Sequence, residues 1–460
     1  MRRLPEVRIR LRNGPSRRDL LRAGALGGIG LALPELLRLQ RASAGTGPTP
    51  TADACILVFL WGAPSQYETF DPKPDAPDGI RGEFGVTRTH TPGVLLGEHI
   101  PLLAQRSRLF TIVRTCAQTS THHQSAAYEA LTGCPPSRDA VALTATPSDH
   151  PNLGSVVARM APGRSTLPPF VQLPQLATDV GNLTPGQFAG FLGRQYDPLF
   201  IVHDPSTPDF DVADLALDAG VSPARLDNRQ ALARIVDAQT RALERSPAAR
   251  AMDVYHERAV RLLTNPAVRQ AFDLTREPMA LRDRYGHNAL GQSCLLSRRL
   301  VESGVKLVTV CAGFGGLTPQ DAWDTHEDNF RKLKNRLLPP FDRGVSALLD
   351  DLHQRGLSER TLLLVMGEFG RTPRINPRAG RDHWERCYSI MLSGGGIRSG
   401  HVHGRSDHIG AYPAQGRVFT PADICATVFR CFGIDPHAEV ADQAGRPVRL
   451  TQGEPMVELF

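Results

Sequence analysis

Short apolar runs recur along the chain, each closing on small or polar residues: Ala54–Trp61, Arg108–Cys116, Phe170–Leu173, Leu199–Val202, Leu307–Val310, Leu362–Met366 and Ile390–Leu392. They are continuous rather than alternating, the pattern of strands covered on both faces. Between them, apolar positions at helical spacing predict helices over Gln124–Leu131, Ala224–Leu243, Ala249–Leu263, Leu290–Ser303 and Asn329–Gln354. Strands alternating with helices predict an α/β fold: a mostly parallel central sheet with crossover helices on both faces. In such sheets ligands gather at the carboxyl ends of the strands. The charged, mostly helical stretch from about 204 to 290 reads as an insertion or cap.

The amino-terminal segment follows a different pattern. A basic run leads to Ser16-Arg17-Arg18-Asp19-Leu20-Leu21, then an apolar stretch from Ala23 to Leu33, then Ala42-Ser43-Ala44. These are the marks of a cleaved leader, and the paired arginines before two leucines are those of the twin-arginine class. Residues 1–44 are therefore expected to be a signal peptide and 45–460 the mature domain, exported folded to the periplasm or beyond. The twin-arginine export machinery is then a partner. No transmembrane segment is expected in the mature chain, since Ala23–Leu33 is well short of the about 20 apolar residues a spanning helix needs.

That division changes the reading of charge. Residues 1–44 carry ten of the 53 basic residues and three of the 47 acidic ones, leaving 43 and 44, a net charge of −1. The basic character belongs to the leader, and nucleic acid is not an expected partner. The eight cysteines form no Cys-x-x-Cys pair, which excludes zinc-ribbon and thioredoxin motifs.

Metal-capable residues collect after the strand-like runs. Thr119-Ser120-Thr121-His122-His123 follows the second, Trp323-Asp324-Thr325-His326 follows the run at 307–310, and Gly367-Glu368-Phe369-Gly370-Arg371 and Gly380-Arg381-Asp382-His383-Trp384 follow 362–366. Asp, Glu and His suit borderline and hard divalent cations. Each cluster has a plainer reading. Thr121-x-x-Gln124 fits a capping box, Asp324-x-x-Glu327 fits a helix start, and Asp382-His383 fits a surface ion-pair cluster with Arg381, Glu385 and Arg386. Several strand ends delivering such residues to one sheet edge favours a site over these.

Leu60-Trp-Gly-Ala-Pro-Ser with Thr69-Phe-Asp71-Pro-Lys-Pro, Trp323-Asp-Thr-His326, Gly367-Glu-Phe-Gly-Arg-Thr-Pro373 and Gly380-Arg-Asp-His-Trp384 together resemble the family catalogued as domain of unknown function 1501. The resemblance runs from about 54 to 435 and implies an alkaline phosphatase-like fold, kin to the sulfatases, with one or two divalent metals (zinc, manganese, calcium or magnesium). It implies that Asp382 and His383, with Asp324 and His326, ligate metal; Glu368, from the loop after 362–366, is a further candidate ligand, expected with one of His122 or His123 at the rim of the site or inside it. The resemblance places a nucleophile at the helix start near Ser120–His123, where Thr121 and His123 are the catalytic candidates and the hydroxyl donor stays open. Arg371 is the candidate to grip an anionic ester through its planar fork. The first strand ends in Trp61-Gly62 rather than in the metal-binding Asp of that superfamily. Cys134-Pro-Pro-Ser-Arg138 imitates a formylglycine site, but Leu131-Thr-Gly133 precedes it instead of following, so Cys134 lies at the wrong end of the helix.

The expectation is an exported metal-dependent hydrolase of phosphate or sulfate esters. The alternative is a non-catalytic exported binding protein that keeps the fold. A redox enzyme finds no haem, iron–sulfur or dinucleotide motif.

Overall fold

The seven apolar runs form the spine of the protein. The computed structural model describes residues 47–163, 165–179, 181–208, 210, 265–313 and 322–460. Its central strands are β1 (Ala54–Leu60), β2 (Thr111–Cys116), β3 (Phe170–Leu173), β4 (Leu199–Phe200), β5 (Leu307–Ala312), β6 (Thr361–Met366), β7 (Tyr388–Ser393) and β8 (His401–His403). They form one eight-stranded sheet in the order β8-β2-β7-β6-β1-β5-β3-β4. Every pairing is parallel except those of β7, which runs antiparallel to β6 and β2. Strand β8 was not anticipated: three residues with one apolar side chain give no periodicity to read.

Strand β1 shows why a continuous apolar run means a central strand. All seven of its residues are buried. Successive side chains point to opposite faces, so Ile56, Val58 and Leu60 enter one core and Cys55, Leu57 and Phe59 the other. The first core is closed by α3 (Ala289–Glu302) and α4 (Leu338–Gln354), through Leu295, Leu296, Leu300, Phe341, Val345 and Leu348. The second is closed by α1 (His123–Thr132), α2 (Leu153–Met160) and α5 (Pro421–Cys431), through Leu131, Val156, Val157, Ile424, Val428 and Phe429. Helices thus cover both faces, and the chain is an α/β protein with a mostly parallel central sheet.

The expected helix Asn329–Gln354 is built in three parts: an α-turn at Asn329–Lys332, a π-turn at Leu333–Leu337, then α4. Pro339 and Pro340 lack the N–H that a regular α-ladder needs, and the wider turn before them absorbs the loss. Helices α2 and α5 were not among the expected ones, although Leu153, Val156 and Val157 carry helical spacing and Thr420-x-x-Asp423 is a start signal. That signal is realised: Asp423 Oδ2 accepts from Thr420 N at 2.8 Å while Thr420 Oγ1 accepts from Asp423 N at 3.4 Å. Thr420→Ala is expected to cost about 1 kcal/mol, read as a lower urea midpoint at unchanged slope.

The expected leader, the predicted helices Ala224–Leu243 and Ala249–Leu263, and most of the expected cap lie outside the described residues. The cap's described end is helical, at Pro266–Phe272 and Met279–Tyr285. No helix among the described residues is long and apolar enough to cross a membrane. All eight cysteines are buried and unpaired, and burial pushes the thiols of Cys134, Cys294, Cys311 and Cys387 up to about 12.

Candidate metal centre

The antiparallel β7 decides where the site forms. Because β7 runs back beside β6, the connection 367–387 leaves and returns at the carboxyl edge of the sheet. Everything on that connection is held at one edge. Within it, Gly370–Arg371 pairs with His383–Trp384 as a small antiparallel ribbon. His123 reaches the same edge as the first residue of α1, which follows β2, and Asp324 and His326 follow β5 in sequence.

There the side chains converge. One ligand atom each from His123, Asp324, His326 and His383 lies within 4.8 Å of the other three. Around Asp324 Oδ1 stand His326 Nε2 at 3.1 Å, His123 Nε2 at 3.2 Å and His383 Nε2 at 3.5 Å. His326 Nε2 and His383 Nε2 are 2.8 Å apart.

Each imidazole is held from behind through its other nitrogen. His123 Nδ1 meets Glu368 Oε1 at 2.6 Å, His326 Nδ1 meets Asp382 Oδ1 at 2.7 Å, and His383 Nδ1 donates to the Thr121 carbonyl at 2.8 Å. An acceptor behind Nδ1 keeps the proton there and turns the Nε2 lone pair inward, the arrangement that metal-ligating histidines use. Two inward lone pairs 2.8 Å apart repel unless a proton or a cation sits with them. Moreover, His123 Nε2 is buried and, beyond its 3.2 Å approach to Asp324 Oδ1, makes no hydrogen bond of good geometry. Three imidazole nitrogens and a carboxylate form a donor set that fits a divalent metal ion.

The rings are fixed by packing as well. Phe369, 1% exposed, lies 5.0 Å from the His123 ring and 4.6 Å from the His383 ring, centroid to centroid. Charge follows the geometry. Burial alone would lower the His123 imidazole, but Asp324 and Glu368 outweigh it and raise it to about 9. Burial would raise the Asp324 carboxyl, but three imidazoles and Arg371 hold it well below the carboxylate range. His383 is pulled down, chiefly by burial.

Placement differs from expectation for several residues. Asp382 and Glu368, expected as ligands, stand one bond further out, behind His326 and His123. His123, expected as a catalytic residue, sits among the four converging side chains. Arg371 is fully buried and faces the protein rather than an anion: Nε donates to Ala63 O at 2.9 Å, Nη1 to Arg381 O at 3.1 Å, and Nη2 to Asp324 Oδ1 at 2.6 Å and to Gly62 O. Thr121 neither caps α1 nor points its hydroxyl at a ligand nitrogen of the cluster; Oγ1 donates to Asp139 Oδ2 at 2.7 Å. Asp139 also accepts from Thr121 N at 2.9 Å and His122 N at 3.4 Å, so it caps the helix start from outside. The plainer readings fail too. Gln124 bonds Asp179 O and Leu143 N instead of closing a capping box, and the helix after Asp324 starts only at Asn329. Asp71, from the opening motif, pairs with Lys73 and Arg114.

Three supporting residues were missed by sequence reasoning. Glu68 pairs with Arg381, Nη2 to Oε1 at 2.7 Å, with side chains 1% and 0% exposed, so Arg381 is no surface charge. Asn376 Nδ2 bridges His326 O at 2.8 Å and Asp382 Oδ1 at 3.1 Å. Asp139 is the third. Each is a lone polar residue in a loop, which carries no periodic signal.

Two glycines of the quoted motifs are explained by close approach. A Cβ on Gly62 (φ +96°) would stand 2.5 Å from Asp324 N, and one on Gly380 would stand 2.0 Å from His326 O. Gly380→Ala must push the His326 backbone away, and is expected to weaken metal binding by at least about tenfold, the cost of disturbing a ligand's support. Calorimetric titration of the purified variant checks this, and wild-type affinity would refute it.

An α/β chain with a candidate metal centre at the carboxyl edge of its sheet is the class that fold and site define. Residues 52–460 match the family model described as "Protein of unknown function (DUF1501)", and the chain belongs to that family. No curated protein matches it. Among solved structures it is similar to Ps i-CgsB in complex with k-i-k-neocarrahexaose, at 14% identity over 85% of this chain and 73% of that one, TM-score 0.39. It is similar to a sulfatase from Pseudoalteromonas sp. at 12% identity over 86% and 70%, TM-score 0.38. A phosphonate monoester hydrolase from Silicibacter pomeroyi gives 11% over 88% and 76%, TM-score 0.37.

Proposed function

We propose that this chain is a divalent-metal-dependent hydrolase of phosphate or sulfate esters. One observation carries the reading: three Nε2 atoms converge on Asp324, each imidazole tied behind through Nδ1. His123, Asp324, His326 and His383 would hold the ion, which when bound supplies a Lewis acid for an ester oxygen and acidifies a bound water or hydroxyl. Glu368, Asp382 and the Thr121 carbonyl set the tautomers. Arg371 anchors Asp324 from the buried side. Asp324, His326 and His383 keep about a quarter to a third of their side-chain surface, so the cluster opens to solvent and to a substrate.

Thr121 stands at this mouth, its carbonyl on His383 and its hydroxyl on Asp139. Burial would raise the Asp139 carboxyl, but the Thr121 and His122 donors lower it to about 2, which makes it a weak base. The hydroxyl is held rather than activated. That observation favours, as a second reading, a binding protein that keeps the fold without turnover.

We further propose that the protein acts outside the cytoplasm, carried there folded by the twin-arginine machinery. The Arg17-Arg18 leader supports this, and eight sealed thiols suit folding before export.

A panel of aryl phosphate, sulfate and phosphonate esters tests the enzyme reading. Turnover is expected with metal and lost on chelation. Thr121→Ala is expected to keep metal and turnover while losing about 1 kcal/mol of stability with one hydrogen bond. A collapse of turnover with metal retained would make Thr121 the nucleophile. Wild-type protein that binds metal and cleaves none of the esters would leave the binding-protein reading standing.

A further inference from the structure

We infer that the centre is a mononuclear zinc site, and not the calcium, magnesium or two-metal site that the same sequence motifs leave open. The inference rests on the metal reading above and adds identity and number to it. Donor chemistry is the first argument. The cluster offers three imidazole nitrogens and one carboxylate. Imidazole suits zinc and its neighbours in the transition series, whereas calcium gathers about 6–8 oxygens and magnesium about six, mostly carboxylate, carbonyl and water.

The other nearby carboxylates meet the histidines through oxygens that are already engaged, and the second Glu368 oxygen, buried without a hydrogen bond, belongs to a side chain that stands behind His123. Glu368 Oε1 is taken by His123 Nδ1 and by Gly62 N at 2.9 Å, and the Glu368 side chain is fully buried behind the imidazole. Asp382 Oδ1 is taken by His326 Nδ1 and Asn376 Nδ2. Both oxygens that meet the cluster are spent on orienting histidines.

Spacing is the second argument. The separations among the donors fall between 2.8 and 3.5 Å where they touch Asp324 Oδ1 or join His326 to His383. Ligands of a tetrahedral zinc ion, at about 2.0–2.2 Å from the metal, stand about 3.3–3.6 Å from one another. Those four separations lie at or just below that spacing and all six lie within 4.8 Å, so side-chain adjustments of about an ångström would bring the four atoms onto the tetrahedron.

Number is the third. Among the described residues, no second group of three or more His, Cys, Asp or Glu side chains is gathered closely enough to hold an ion. Arg371 Nη2, 2.6 Å from Asp324 Oδ1, adds a fixed positive charge beside the cluster, which disfavours a second cation close by.

The test uses the full mature chain, stripped with chelator and titrated by calorimetry with zinc, manganese, magnesium and calcium chlorides in turn. One equivalent of zinc is expected to bind, with magnesium and calcium giving no saturable heat. Cobalt(II) loaded in zinc's place is expected to give the intense visible absorption of a four-coordinate ion. Two equivalents of zinc, preference for calcium or magnesium, or the faint spectrum of six-coordinate cobalt would each overturn the inference while leaving a metal centre in place. No binding of any of the ions would overturn both it and the reading on which it rests. Folding of the stripped protein is followed by circular dichroism, so that loss of structure is not mistaken for loss of affinity.

Discussion

In the His383→Ala variant, divalent-metal binding is expected to disappear from a calorimetric titration while the urea midpoint moves little. His383 sits on a two-residue ribbon at the sheet edge with its side chain 23% exposed. Its removal opens the site to water instead of leaving a cavity in the apolar core, so the expected loss is about 1 kcal/mol, that of the Thr121 hydrogen bond and the ring contact with Phe369. The imidazole nevertheless contributes one of four converging donors. The informative comparison is Asp382→Asn, which alters only the acceptor behind His326 Nδ1. That change should weaken binding by about 10–100-fold, the usual cost of a support residue, and leave the stoichiometry at one. Equal losses in the two variants would show that Asp382 is itself a ligand.

Arg381→Met should be the most destabilising single change at the site. Glu68 then keeps a buried carboxylate, 1% exposed, with its cation gone. Breaking one side of a buried pair costs about 3–5 kcal/mol, a large part of a domain's stability. The guanidinium also lies 4.3 Å over the Tyr67 ring and donates to the carbonyls of Ile80 and Thr372, so packing is lost with charge. The double variant Glu68→Leu with Arg381→Met should recover most of the loss, since no uncompensated charge remains. Urea unfolding of the three variants checks the ordering. If the double variant is as unstable as the single, the loss comes from packing and not from the orphaned carboxylate.

The sheet was legible in the sequence because burial on both faces forces continuous apolar runs, and Phe170–Leu173 and Ala54–Leu60 show it almost residue for residue. Where pairing alone holds a strand, as at His401–His403 on the sheet edge, the sequence is silent. The types of residue at the site were legible for a related reason: loops that follow parallel strands share one edge, so His and Asp there must be neighbours. Roles were not. His123 and Glu368 are 245 positions apart, and nothing local says which of the two faces the centre and which stands behind. Arg371 reads as an anion clamp from its type and its surface-like motif. Only the carbonyls of Gly62 and Ala63, turned toward it by backbone at positive φ, reveal it as an internal brace.

The sealed thiols reach beyond packing. A protein with eight buried cysteines and no bridge owes nothing to an oxidant for reaching its native state, so it can complete folding in a reducing cytosol. The return journey differs. An unfolded copy in an oxidising medium exposes eight reactive sulfurs at once, and mispairing among them competes with refolding. If the protein is exported as proposed, it would last outside the cell for as long as it stays folded, its lifetime there set by its unfolding rate instead of its equilibrium stability.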